Sequence, residues 1–251
     1  MAPGCYITRK VGNWGLIQVG PAIQRVEVED PGNTDRYIST YAETLPYNLF
    51  EGHNTYTGTT WRFTVDKRNH PVFTTRGVVF TVAGRNMAGV ENRAADFSSY
   101  DGSLSFYHSF RFPSRIVFAA RVGGGANTGR YEFYQAQILS GRTEVRGFRK
   151  TRFYGEQKLY TNLEMRIKLL SLKTYLFPAS LGILGFHDIG RIWYKDANGV
   201  DPTAPDGSSN VWHKSWGGGI WFTPFNLAIL SVEAAHSTEG TLSYIRLGYL
   251  F

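Results

Sequence analysis

Strict alternation of apolar and polar residues over long segments is the feature of this sequence that most constrains its fold. Between residues 159 and 169, the apolar side chains of Leu163 and Met165 alternate with the charged side chains of Glu164 and Arg166. Successive side chains of a β-strand point to opposite faces of a sheet, so this segment has one apolar face and one charged face. The same pattern recurs at residues 61–66 and 245–251. The sequence therefore predicts an all-β chain.

Ten strands are predicted, and the connections between them indicate how they are arranged. We place the strands near residues 14–27, 57–66, 75–87, 97–111, 114–125, 158–171, 174–194, 211–223, 226–237 and 241–251. Apart from the last connection, long connections alternate with tight turns along the chain. Outer-membrane barrels have short turns at one end and long loops at the other, and strands of roughly 11 to 15 residues suit a tilted crossing of the bilayer.

These connections favour a membrane barrel over a soluble β-sandwich, in which the apolar faces would meet inside the protein. The first ten residues, MAPGCYITRK, are assigned no strand, because one more strand does not suit a closed barrel of even strand number. The segment 28–56 is long enough for a further strand pair. The prediction is one domain, residues 1–251, forming an antiparallel transmembrane β-barrel of about 10–12 strands. A soluble β-sandwich that binds an anionic partner stays open as an alternative.

Composition excludes several classes of site. The net charge of +7 comes from 27 Lys and Arg against 20 Asp and Glu, and the basic residues are spread along the chain. We therefore expect no nucleic-acid partner. The single cysteine, Cys5, excludes a disulfide within the chain, and no Cys/His spacing indicates a metal site. No apolar run of about 18 residues predicts a transmembrane helix. We expect neither a metal nor a cofactor.

A catalytic site is also not expected. The six histidines are scattered and show none of the spacings of a metallohydrolase. His236 beside Ser237, or His108 near Ser105, could supply the Ser and His of a hydrolase site on a membrane barrel. Such pairs are common by chance, so we predict that the protein is not an enzyme.

One stretch interrupts the strand pattern, TEVRGFRKTRFYGE at residues 143–156. Its VRGF, followed by RFYGE, LEMRIKL, GFHDIGRIW, WGGGIWF and a final YLF, resembles the C-terminal barrel of the BamA/TamA superfamily, also called the bacterial surface antigen family. The resemblance runs from about residue 61 to residue 251. Barrels of that family commonly have about 16 strands and follow periplasmic repeat domains, so the chain would be the later part of such a barrel or a smaller barrel.

The resemblance implies where the protein acts and with what. It implies an integral protein in the outer membrane of a Gram-negative-type bacterium, in contact with outer-membrane lipids and lipopolysaccharide. Its other partners would be client outer-membrane polypeptides and the assembly machinery. The implied function is insertion or translocation of polypeptides. An alternative is a barrel that serves as membrane anchor or export channel for a separate N-terminal enzyme domain.

The resemblance also implies a site. Arg146 matches the arginine of the family's VRGF motif, which lies on a long external loop folded back into the barrel. Glu164 and Asp188 match acidic residues of the inner wall. Residues 126–157 would then be an inward-folded lid loop tethered to the wall. A guanidinium held away from water needs carboxylates to offset its desolvation, and its planar fork can bind more than one of them.

Four further residues complete the predicted site. Gly147 would let the chain turn tightly beside the arginine, and Phe148 would pack on the wall. Tyr249 and Phe251 would continue the apolar row of the last strand. In the barrels that this chain resembles, such an aromatic C-terminal strand is the signal read by the assembly machinery.

Overall fold

The computed structural model describes residues 6–29, 32, 50, 52–91, 94–111, 114–173, 178–193, 211–225 and 227–251. The described residues form thirteen strands: β1 Ile7–Val11, β2 Gly15–Glu27, β3 His53–Asp66, β4 Gly77–Gly89, β5 Phe97–Arg111, β6 Arg115–Gly129, β7 Gln137–Leu139, β8 Phe153–Gly155, β9 Gln157–Lys173, β10 Pro178–Trp193, β11 Trp212–Pro224, β12 Leu230–Ser237 and β13 Gly240–Leu247. These residues include no helix long and apolar enough to cross a membrane.

Eleven of the strands form one antiparallel sheet in chain order, and β7 and β8 pair separately within the connection between β6 and β9. The predicted all-β antiparallel fold is confirmed. The additional strand is β1, whose five residues pair with β2. β1 and β13 are the outer strands, and no ladder joins them in the part of the chain that the structure describes. The strand pair considered for residues 28–56 falls mostly outside the described residues.

The connections sort onto two rims, because neighbouring strands of an antiparallel sheet run in opposite directions. One rim, which we call the short-turn rim, carries residues 12–14, 67–76, 112–114, 174–177 and 225–229. The opposite rim, the long-loop rim, carries residues 28–52, 90–96, 130–156, 194–211 and 238–239. The connection 238–239 departs from this sorting, as the sequence predicts, and so does 67–76, which is longer than 90–96 on the opposite rim.

The distribution of polar and apolar side chains is the reverse of that in a soluble protein. On β9, Leu163 and Met165 are 51% and 38% exposed, whereas Glu164 and Arg166 are 3% and 2% exposed. A sandwich buries its apolar rows, whereas a membrane barrel presents them to lipid and turns its polar rows inward. The structure therefore excludes the soluble sandwich.

A bulge keeps the apolar row of β9 on the outside to the end of the strand. The register with β10 skips one residue between Lys168 and Leu170, so that Leu169 is extra. An extra residue reverses which face the later side chains occupy. Leu170 and Leu172 consequently face outward, at even positions that faced inward earlier in the strand.

Candidate functional site: the lid loop and its ion-pair cluster

The connection between β6 and β9 lies against the inner face of the sheet. Because β6 continues to Gly129, this connection spans residues 130–156, and we call it the lid loop. Its apolar residues pack with two residues of the wall in one buried cluster of Leu139, Val145, Phe148, Phe153, Tyr160 and Ile192. This burial favours a docked loop, since removing apolar surface from water stabilises the contact.

Arg146 lies at the centre of the lid loop's polar contacts and is fully buried. Its Nε and Nη2 atoms donate to the two carboxylate oxygens of Asp188 at 2.8 and 3.0 Å. Its Nη1 atom donates to Glu164 Oε2 at 2.8 Å. The Arg146 main-chain N–H also donates to Asp188, at 3.1 Å. The structure thus brings together all three charged residues of the predicted site, and their role as a tether stays a prediction.

Glu233 is a member of this site that sequence reasoning missed. Its Oε2 accepts a hydrogen bond from Arg146 Nη1 at 3.1 Å, and its side chain is fully buried on β12. The available signal was its position in the inward row of β12, which alternates buried and exposed residues throughout. An acidic residue in an inward row of a strand close to β10 can reach the same guanidinium.

The charges in this cluster balance. Three carboxylates, of Glu164, Asp188 and Glu233, face the guanidinium of Arg146. Arg166 Nε lies 2.7 Å from Glu164 Oε1, and Arg246 Nε lies 3.5 Å from Glu233 Oε2. Three negative charges therefore meet three positive charges without bulk water. Such a network is costly to disrupt, because each group left alone keeps its desolvation penalty.

Two opposing effects act on the pKa of Arg146. Burial disfavours its charged form, but the hydrogen bonds to Asp188 and the charges of the three carboxylates outweigh burial and raise the pKa above its ordinary value. The guanidinium also lies over the ring of Phe186, 3.4 Å from its centroid. Arg146 is therefore held as a cation throughout the physiological pH range.

Glycines of the WGGGIWF motif leave room for this cluster. Gly217 lies on the inward row of β11, between the strands of Asp188 and Glu233. A Cβ atom at Gly217 would lie 2.5 Å from the Phe186 ring and 2.1 Å from the Ala234 carbonyl oxygen. A side chain here would displace the ring on which the Arg146 guanidinium rests.

Gly147 and Phe148 follow Arg146 on the lid loop, and both are buried; their predicted roles stay predictions. Gly147 has a φ of 91°, in the left-handed region that favours glycine. Its N–H donates to the Tyr244 hydroxyl at 2.8 Å, and its carbonyl accepts from Ser237 Oγ at 2.7 Å. Phe148 is buried, with its ring 5.1 Å from that of Phe153 between centroids. The turn is thus fixed to β12 and β13.

Asn162 provides a second polar link between the wall and the lid loop. Its Nδ2 donates to the Glu144 carbonyl oxygen at 2.6 Å and to Asp188 Oδ1 at 2.8 Å. Arg121 donates to Asn162 Oδ1 at 2.9 Å and also hydrogen-bonds the Thr143 carbonyl oxygen. These bonds orient the Asp188 carboxylate for Arg146.

The structure places Tyr249 and Phe251 differently from the sequence prediction. β13 ends before Gly248, which has a φ of 105° and donates its N–H to the Ile229 carbonyl oxygen at 2.7 Å. The chain then turns inward, so that the Arg166 guanidinium lies 3.6 Å from the Tyr249 ring centroid. Arg166 Nη2 donates to the main-chain oxygen of Phe251 at 2.8 Å. The two aromatic residues therefore do not continue the outward row, and their role as an assembly signal stays a prediction.

The two Ser and His pairs considered from the sequence do not form dyads. Ser237 is buried and donates to the Gly147 carbonyl, whereas neighbouring His236 is exposed and contacts Thr241 Oγ1 at 3.0 Å. Ser105 and His108 are an odd number of positions apart on β5, so their side chains point to opposite faces of the sheet.

A broad antiparallel sheet with apolar residues outside, charged residues inside and a loop against its inner face defines a membrane β-barrel. The family model of the Omp85 superfamily domain matches residues 5–233, and the chain belongs to this superfamily. No match is found among curated proteins.

A solved structure shares the fold. BamA from Haemophilus ducreyi, crystallised without POTRA domains 1-3, superimposes with a TM-score of 0.66 at 15% sequence identity. The match covers 93% of this chain and 51% of that chain, so the chain spans about half the length of the BamA structure. The family and the shared fold support a barrel of the outer-membrane type, as the resemblance of the sequence predicts.

Proposed function

We propose that this chain is the barrel of an outer-membrane protein that inserts or translocates polypeptides, and that β1 and β13 form its working seam. One observation carries the proposal: the sheet ends at two strands that each have an edge without a ladder partner among the described residues. The partners are outer-membrane lipids and client polypeptides.

The physical basis is the cost of a strand edge in lipid. Main-chain N–H and C=O groups that lack partners in the hydrocarbon region are strongly unfavourable, and an added strand satisfies them. β1 has five residues and β13 has eight, whereas β5 and β6 have 15 each. Each outer strand therefore offers, among the described residues, a short edge with which an incoming strand can pair.

The lid loop gives the seam a fixed support. Arg146 links β9 and β10 to Glu233 on β12, and Gly147 contacts Tyr244 on β13. We propose that this tether keeps the lid loop in register and holds the last strand pair in place for an incoming strand. The mechanism is strand pairing; it breaks no covalent bond and uses no catalytic group or cofactor.

The test reconstitutes the protein in lipid vesicles and adds a small outer-membrane barrel unfolded in urea. We expect the client to fold several-fold faster than in empty vesicles. The gel mobility of the client before and after boiling measures its folding. A photo-crosslinking amino acid at Ile245, on the outer face of β13, should capture the client during folding. The matched control places it at Leu163, which also faces outward but lies within the wall.

Two results would contradict the proposal. One is client folding at the rate of empty vesicles when the barrel itself is correctly assembled. The other is crosslinking from Leu163 as strong as from Ile245, which would mean that the client meets the outer surface without preference for the seam.

A further inference from the structure

A cavity of about 320 Å³ lies at the short-turn rim, and Arg166 is the member of the Arg146 ion-pair cluster that lines it. Its walls are inward-facing residues of β6, β9, β10 and β11, closed by the turn 67–76 and by the segment that follows β13. The inward turn at Gly248 builds part of this wall, because it brings Tyr249 into the cavity.

The cavity is lined by three cations, Arg115, Arg166 and Lys168, and by no carboxylate among the described residues. Arg115 and Lys168 have no ion pair or hydrogen bond from their side chains in the described part of the chain. Like charges brought together at the edge of a low-dielectric interior repel one another. Arg115 is exposed and Lys168 half-buried, and an anion bound between the cations relieves the repulsion that remains.

Arg166 gives a second, independent indication of a ligand, because one of its N–H groups lacks a hydrogen-bond acceptor. It is 2% exposed, and its Nε and Nη2 atoms are occupied by Glu164 and by the main-chain oxygen of Phe251. Its Nη1 atom is buried and has no hydrogen-bond partner among the described residues. Buried guanidinium N–H groups are almost always paired, so this one indicates a place for a ligand oxygen.

Charge and shape indicate the class of ligand. Glu164 offsets one of the three positive charges, which leaves an excess of about two, and a phosphate monoester carries about −1.5 to −2 near pH 7. Trp221 and Tyr249 provide aromatic surface beside the cations. We propose that this cavity binds a phosphate-bearing molecule, with its phosphate on the three cations and its organic part against the two aromatic rings.

Phenyl phosphate is the probe that tests this site, because it combines a phosphate monoester with a flat apolar ring. Calorimetric titration of the protein in neutral detergent at low salt should show saturable binding. Arg115→Gln and Lys168→Gln should each weaken it by about tenfold or more, since each removes one charge-assisted bond. Neither change breaks an ion pair in the described residues, so both variants should keep the parent's gel mobility before and after boiling.

Arg149→Gln is the matched control, because it removes an exposed cation of the lid loop at the opposite rim and should leave the titration unchanged. Absence of binding by the folded parent, or equal binding by all three variants, would overturn the proposal. Competition then identifies the source of the phosphate. Stronger displacement by short-chain phosphatidic acid assigns the site to a lipid headgroup, and stronger displacement by inorganic phosphate assigns it to a soluble phosphate.

Discussion

At the scale of single residues, Arg146 is stabilised by the number of its partners and by their geometry. The Asp188 carboxylate takes two N–H groups of the fork, and the remaining nitrogen lies between Glu164 and Glu233. A lysine offers one compact charge and cannot match this arrangement. The arginine therefore acts as a junction for three strands, and it is shared by all three carboxylates.

We expect Arg146→Ala to lower the free energy of unfolding by about 3–5 kcal/mol, because it leaves three buried carboxylates short of positive charge. Arg146→Lys should recover only part of this loss. The measurement is a urea titration in detergent, in which gel mobility without boiling reports the folded fraction. Arg149→Ala, at an exposed position three residues later, is the control and should behave as the parent does. A stable Arg146→Ala barrel would show that the cluster does not support the fold.

At the scale of elements, the lid loop contacts the last strand pair as well as β9 and β10. The Gly147 turn is held by Tyr244 and Ser237, and Arg246 Nη1 donates to the Arg142 carbonyl at 2.9 Å. Because β12 and β13 have eight residues each, whereas β9 and β10 have 17 and 16, these contacts add support to strands with shorter ladders of their own.

Gly147→Ala should release the lid loop while leaving the wall assembled. Its Cβ would strain a backbone with a φ of 91° and would lie 3.2 Å from the Ser237 Cβ. Strain of about 1–3 kcal/mol corresponds to an increase of about five- to 150-fold in the open population. The rate of trypsin cleavage within 142–152 should rise accordingly.

Gly240→Ala is the matched control for backbone strain. Gly240 has a φ of 110°, but no atom lies within 4 Å of the position its Cβ would take. Cleavage of the lid loop in this variant should stay at the parent rate. If both variants were cleaved equally fast, strain anywhere near β13 would explain the result, and docking of Gly147 would not.

At the scale of the whole molecule, the outward apolar rows and the inward charged rows indicate that lipid surrounds the sheet. A buried row of charged residues on β9 faces the lid loop, and the exposed row of the same strand is apolar. This arrangement is stable only when a hydrocarbon layer covers the outside of the sheet.

The contact of β9 with the hydrocarbon layer can be tested by substitutions at two outward-facing positions that differ in their depth in the layer. Leu163 is near the middle of β9 and Leu172 is near its end, and both are outward-facing. Arginine at the bilayer midplane costs about 2–4 kcal/mol, and near the interface about 0–1 kcal/mol. Leu163→Arg should therefore lower stability in vesicles clearly more than Leu172→Arg does, as measured by urea titration. Equal and small effects would indicate that the middle of β9 does not face lipid.

Local pattern determines the strands, the apolar face of each strand and the alternation of turns and loops, because side chains alternate along any extended chain whatever it later pairs with. The motif resemblance indicates Arg146, Glu164 and Asp188. Only the tertiary structure adds Glu233, since a contact between residues 87 positions apart depends on the order and register of four neighbouring strands. It also decides the inward turn at Gly248, because glycine fits an extended and a left-handed backbone equally well, and packing against the interior selects between them.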